Sequence, residues 1–134
     1  MTLEDVIRRL AALGSLAYQE RYVMGGTALM YVVPEDILED VDGLQALLQR
    51  PENRRLISKL QMVALDDLFS AIAEMSGDAL SAETREKGFA LIRNSEAWRA
   101  LRARSNKALR LFGVNPDELT AEDVARLQGI EERP

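Results

Sequence analysis

The chain has 134 residues, 47% hydrophobic and 29% charged, with 22 acids against 17 bases and neither histidine nor cysteine. The length suits one domain, and the apolar share excludes a disordered chain. The two absences remove the usual proton shuttle near neutral pH and the usual ligands of zinc and copper. What survives is carboxylates with a hard cation, hydroxyl or lysine nucleophiles, and arginine clamps on anions.

The start, Met1-Thr-Leu-Glu-Asp-Val-Ile, lacks the basic region and apolar run of a secretion signal. No apolar stretch approaches the ~18–20 residues that span a bilayer, so a cytoplasmic protein without membrane contact is expected. A net charge of −5 argues against general nucleic-acid binding, because phosphates would be repelled. Residues 84–112 depart from this acidity, with eight bases against two acids.

In chain order, Thr2 caps a first helix, with Asp5 completing a capping-box variant and Leu3, Val6, Ile7, Leu10 and Leu13 marking one face. Gly14-Ser15 bends or interrupts it, and Leu16 to Met24 continues as helix toward Gly25-Gly26. Residues 22–33 read as a helix stop and loop or as a short hairpin about the Gly-Gly pair, the former being preferred. Pro34 opens a helix whose stripe is Ile37, Leu38, Val41, Leu44, Leu47 and Leu48, and Pro51 ends it. Asn53 is taken as the cap of a third long helix, with Leu56, Ile57, Leu60, Val63, Leu68, Phe69 and Ile72 buried and Gly77 as its stop. Ser81 starts a segment through Ile92. Ser95 caps a long helix with Trp98, Leu101, Ser105, Ala108, Leu109 and Phe112 on one side, and Gly113-Val114 closes it. Asn115-Pro116 and Thr120 start a short acidic helix to about Leu127, and residues 129–134 are expected to fray. The expectation is an all-α single compact domain over residues 1–134, with five or six helices.

The densest chemistry lies in Pro34-Glu-Asp-Ile-Leu-Glu-Asp-Val-Asp42, which carries five carboxylates in nine residues. Glu35 with Glu39, and Asp36 with Asp40, share helix faces at a spacing that suits a divalent cation. All-α nucleotide pyrophosphohydrolases use acidic helix motifs in this way, but they need a second acidic set on a facing helix. Asp66, Asp67 and Glu74 supply only an irregular one. Gly25-Gly26-Thr27 followed by Asp40-Val41-Asp42 resembles elements of minimal nucleotidyltransferases. In that family the aspartates sit on a strand, whereas here Pro34 and the leucine spacing place them on a helix. A magnesium-dependent nucleotide phosphohydrolase or nucleotidyltransferase-like enzyme is therefore the alternative reading, and a solvated acidic face the simpler one. The basic segment Arg85, Lys87, Arg93, Arg99, Arg102, Arg104, Lys107 and Arg110 has the composition of a phosphate or RNA contact, but Trp98 within it falls on the apolar stripe and reads as core.

Leu10-x-x-Leu13-x-Ser15-x-x-Tyr18-Gln19, the acidic 34–40 segment, and Ser95-Glu-Ala-Trp98-Arg-x-Leu101 leading to Lys107-Ala-Leu109 and Gly113 resemble a group of small bacterial helical proteins similar to immunity proteins of polymorphic toxins. The resemblance spans about residues 3–113. It implies a stoichiometric cytoplasmic binder that masks a cognate toxin or another protein, without turnover, metal or cofactor. Charge density then points to Glu35, Asp36, Glu39, Asp40 and Asp42, with Glu20 as a neighbour, as the partner-binding surface.

Overall fold

The computed structural model describes residues 1–24, 34–75, 90 and 92–130, and every regular element among them is helical. In order these are α1 (Leu3–Gly14), α2 (Leu16–Tyr18), a π-helical segment (Gln19–Met24), α3 (Pro34–Leu47), α4 (Pro51–Arg54), α5 (Lys59–Ala73), α6 (Glu96–Leu111), a 3-10 turn (Pro116–Glu118) and α7 (Ala121–Leu127). Residues 90 and 92–94 are helical as well, so the described residues hold more α-helical segments than the expected five or six, in part because two predicted helices are each broken into two pieces. The expected loop or hairpin at 22–33, the Gly77 stop and the Ser81 start fall mostly or wholly outside the described residues. Among the described residues no helix is long and apolar enough to cross a membrane.

Local chemistry explains the boundaries. Thr2 and Asp5 form a reciprocal capping box at α1, as Thr120 and Asp123 do at α7. Ser15 interrupts the first helix: its backbone is extended, and its hydroxyl accepts the Tyr18 amide to start α2. The predicted third helix is broken similarly. Pro51 starts the short α4, and Ser58 with Gln61 makes a new capping box at α5. Asn53 is not a cap for this helix. Its amide lies inside α4 and donates to the Leu47 carbonyl at 2.9 Å, satisfying the end of α3. Ser95 occupies the N-cap of α6 without a side-chain hydrogen bond. At the other end Gly113, with φ +79°, lets the Val114 amide reach the Leu109 carbonyl at 3.1 Å. Gly129 and Ile130 close α7 in the same way, and the rest of the expected frayed tail, residues 131–134, lies outside the described residues.

Buried side chains from these elements form one apolar cluster, with Trp98 fully enclosed at 0% exposure. α6 packs on α1 and α5, α3 leans on α1 and α5, and α7 covers α1 and α2. The α1–α6 contact is close because the residues meeting there are small or polar. Ser105, fully buried, donates to the Leu10 carbonyl at 2.7 Å, and Asn106 donates to that of Gly14 at 3.0 Å. The described core of α5 is Leu65, Leu68, Phe69 and Ile72. Leu56, Leu60 and Val63, expected in that core, are exposed instead, at 43%, 72% and 67%. On α5, Val63 lies roughly opposite the buried residues, with Leu60 beside it.

Candidate functional site

α3 is seated by Ile37, Leu38, Val41, Leu44 and Leu48, all buried, so its opposite side is fixed in space and points outward. Asp40 and Asp42 both lie on this helix, as Pro34 and the leucine spacing predict. They therefore do not lie on a strand, where nucleotidyltransferases carry their paired aspartates. Asp36, Glu39 and Asp42 are exposed, and none of them is in an ion pair among the described residues. The side chain of Glu35 lies outside the described residues.

Asp40 differs from its neighbours. It accepts from Arg8 Nη1 at 2.8 Å and sits 3.7 Å from Arg9 Nε, so two guanidiniums of α1 hold it at the edge of the acidic face. Arg8 also donates to the Gln128 side chain at 3.1 Å, and the Gln128 amide returns a bond to the Arg8 carbonyl at 2.8 Å. One arginine therefore ties α1, α3 and α7 together. The Asp40 charge also reaches Tyr18, whose hydroxyl is pushed up to about 12 by burial first and then by Asp40 and Tyr22. Glu20, the expected neighbour of this face, lies 3.6 Å from Arg93.

A magnesium site would need convergent oxygens. Among the described residues no three acidic side chains come together to hold a metal ion. The second acidic set faces elsewhere, since Asp67 pairs with Arg104 of α6 at 3.2 Å and Asp66 borders a groove on α5.

The basic helix resolves into several roles. Arg104 and Arg110 pair with Asp67 and Asp117. Arg99 and Lys107 face solvent. Arg102 does not: it is 7% exposed, and its Nη1 donates to the Ile92 carbonyl at 2.7 Å and the Gln19 side-chain oxygen at 3.2 Å. Gln19, itself fully buried, spends its amide on the carbonyls of Ala12 and Leu13 at 2.9 and 2.8 Å. Burial, and secondarily Arg99, lowers the Arg102 pKa, while Glu20 opposes the shift. Sequence reasoning missed this network. The signal available was Arg102 falling four residues after Trp98 and three before Ser105, on the buried stripe.

Comparison with protein-family models, curated proteins and solved structures returns no match for this chain.

Proposed function

We propose that the chain is a non-enzymatic, stoichiometric protein-binding module, an inhibitor or immunity protein that masks a basic surface of a toxin or similar partner in the cytoplasm. The observation that carries this reading is the division of labour on α3. Asp40 is used to fasten the helix to α1, while Asp36, Glu39 and Asp42 are exposed and, among the described residues, outside ion pairs, on a face whose back is anchored in the core. A rigid acidic face raises the encounter rate with a basic partner and loses little ordering entropy on docking.

The test is capture from the native host. Wild-type chain is expected to retain a basic protein in equimolar complex, with association slowed by salt. The Asp36→Lys, Glu39→Lys, Asp42→Lys triple variant should lose that complex while keeping its fold. The Arg99→Glu, Arg110→Glu variant should keep it. If the acidic-face variant binds normally and the basic-face variant does not, the partner is anionic and this reading fails.

A further inference from the structure

We infer that α5 carries an isologous docking surface for a second copy of this chain, separate from the α3 face. The first observation is Leu60 and Val63, exposed at 72% and 67%, with Leu56 also exposed, at 43%, in the turn before α5. At i and i+3 the two α5 residues form one continuous apolar strip. It is held firmly, because the Ser58–Gln61 capping box fixes the first turn and the Gln61 amide donates to the Leu111 carbonyl of α6 at 3.0 Å. Next to the strip runs a groove of about 430 Å³, walled by Ile57 and Met62. An apolar side chain of a facing helix fits such a groove.

The charges on either side of the strip identify the occupant. Lys59 and Asp66 lie seven residues apart, so roughly 100° per residue puts them on one edge within about 20° of each other, with Val63 between that edge and Leu60. They are about 10 Å apart along the axis, too far to pair with each other. Neither is in an ion pair among the described residues. When two copies of one helix pack antiparallel about a two-fold axis, like edges face each other and residues equidistant from the axis meet. An axis beside Met62 and Val63 brings Lys59 opposite Asp66 of the second copy, and Asp66 opposite its Lys59. The same placement brings Leu60 near Asp67 of the second copy, a carboxylate already compensated by Arg104 at 3.2 Å. A parallel copy would leave both pairs two turns out of register. A uniformly acidic or uniformly basic partner would oppose one of the two charges. The pattern is self-complementary, and that selects a second copy of the chain.

The experiment is sedimentation velocity of the full chain at rising concentration to about 0.5 mM, the range in which a small contact of this kind is populated. A reversible monomer–dimer equilibrium is expected. Leu60→Ser should weaken it about tenfold or more, since each dimer loses two desolvated leucines. Lys59→Asp and Asp66→Lys should each weaken it by a similar factor, and the two combined should restore it, because the swapped pair is again complementary. A chain that stays monomeric throughout overturns the inference. So does a dimer indifferent to Leu60→Ser, or a double swap no better than the single ones. All three positions are solvent-facing, so unchanged circular dichroism and melting confirm that the variants remain folded.

Discussion

Asn106 of α6 and Gly14 of α1 meet so closely that a methyl group on Gly14 would lie 2.1 Å from the Asn106 side-chain oxygen. The same side chain donates to the Gly14 carbonyl at 3.0 Å. Gly14 ends α1, where the last carbonyls have no intrahelical partners. Ser105, Asn106 and Gln19 supply partners from outside the helix, to Leu10, Gly14, and Ala12 with Leu13. The absence of a β-carbon at Gly14 is what allows α6 to come close enough to do this.

Gly14→Ala should therefore destabilise the chain by about 1–3 kcal/mol, through overpacking and loss of the Asn106 bond. In an Asn106→Ala background the obstruction is gone, and the same substitution should be neutral or stabilise by up to about 1 kcal/mol, since alanine suits a helix better than glycine. Urea denaturation of the four chains measures the cycle. Additive effects would show that the two residues are not coupled.

Gln19 offers a second test at the same helix end. Gln19→Leu keeps roughly the same volume but leaves the Ala12 and Leu13 carbonyls without their donor and removes an acceptor from the buried Arg102. A loss of about 2–4 kcal/mol is expected, from two carbonyls and one guanidinium left short of partners. Gln19→Leu combined with Arg102→Met should lose less than the two single losses added, because the partners of the network are removed together. Chemical denaturation decides it.

The helical class, the Thr2 and Thr120 caps, the Gly113 closure and the burial of Trp98 were legible because each depends on residues within a few positions of one another. The failures have a common physical origin. α5 is apolar on more than one side, so periodicity offers two faces, and tertiary packing chose Leu65, Leu68, Phe69 and Ile72. Val63 lies roughly opposite that choice around the helix. The break at Ser58 was hidden by a preference for one long helix over two capped pieces. The status of individual α3 carboxylates was also illegible. Asp40 differs from Asp36 only because Arg8 and Arg9, some thirty residues earlier, face it. The Arg102–Gln19 bond spans 83 residues and leaves no local pattern.

Stability should fall at both ends of the pH scale for separable reasons. Asp5 and Asp123 are held below their ordinary value of 3.8, chiefly by the backbone amides of Thr2 and Thr120 and then by the threonine hydroxyls. A lowered folded pKa gives stability that is present above the unfolded value and is lost as pH falls through the folded one. Asp5→Asn and Asp123→Asn should each flatten the melting curve below about pH 4. Tyr18 works in the opposite sense. Its folded pKa is raised to about 12 from 10.0, so its contribution is complete below 10.0 and is lost as pH rises toward 12. Tyr18→Phe should remove part of the alkaline slope in that window. An unchanged slope would show that other groups account for it.

Millimolar magnesium should leave the melting temperature unchanged. A cation that bound only the folded chain would raise it by mass action, but Asp40 is already held by Arg8 and Arg9, and among the described residues no three acidic side chains converge to hold a metal ion. Scanning calorimetry with and without the ion tests this. A magnesium-dependent rise that disappears in Glu39→Gln, Asp40→Asn, together with nucleotide hydrolysis lost in the same variant, would replace the binding reading with a phosphohydrolase.

The α3 carboxylates should separate by stability as well as by binding. Asp40→Asn removes the charge that Arg8 Nη1 meets at 2.8 Å and leaves the buried Arg9 Nε, which has no hydrogen-bond partner, without its nearby carboxylate. Both sides of the Asp40–Arg8 pair are partly solvated, so screening limits the expected loss to about 1 kcal/mol. Asp40→Lys should be worse, because it places a third cation between two arginines while α7 remains tied to Arg8 through Gln128. Asp36→Lys, Glu39→Lys and Asp42→Lys should each change stability by less than about 0.5 kcal/mol, as isolated surface charges do. Thermal melts of these five variants therefore make a control for the partner experiment. If all five melt alike, Asp40 is one more surface charge and the structural role assigned to it here is wrong. If Asp40 alone falls, a binding loss at Asp36, Glu39 or Asp42 reports the interface rather than a damaged scaffold.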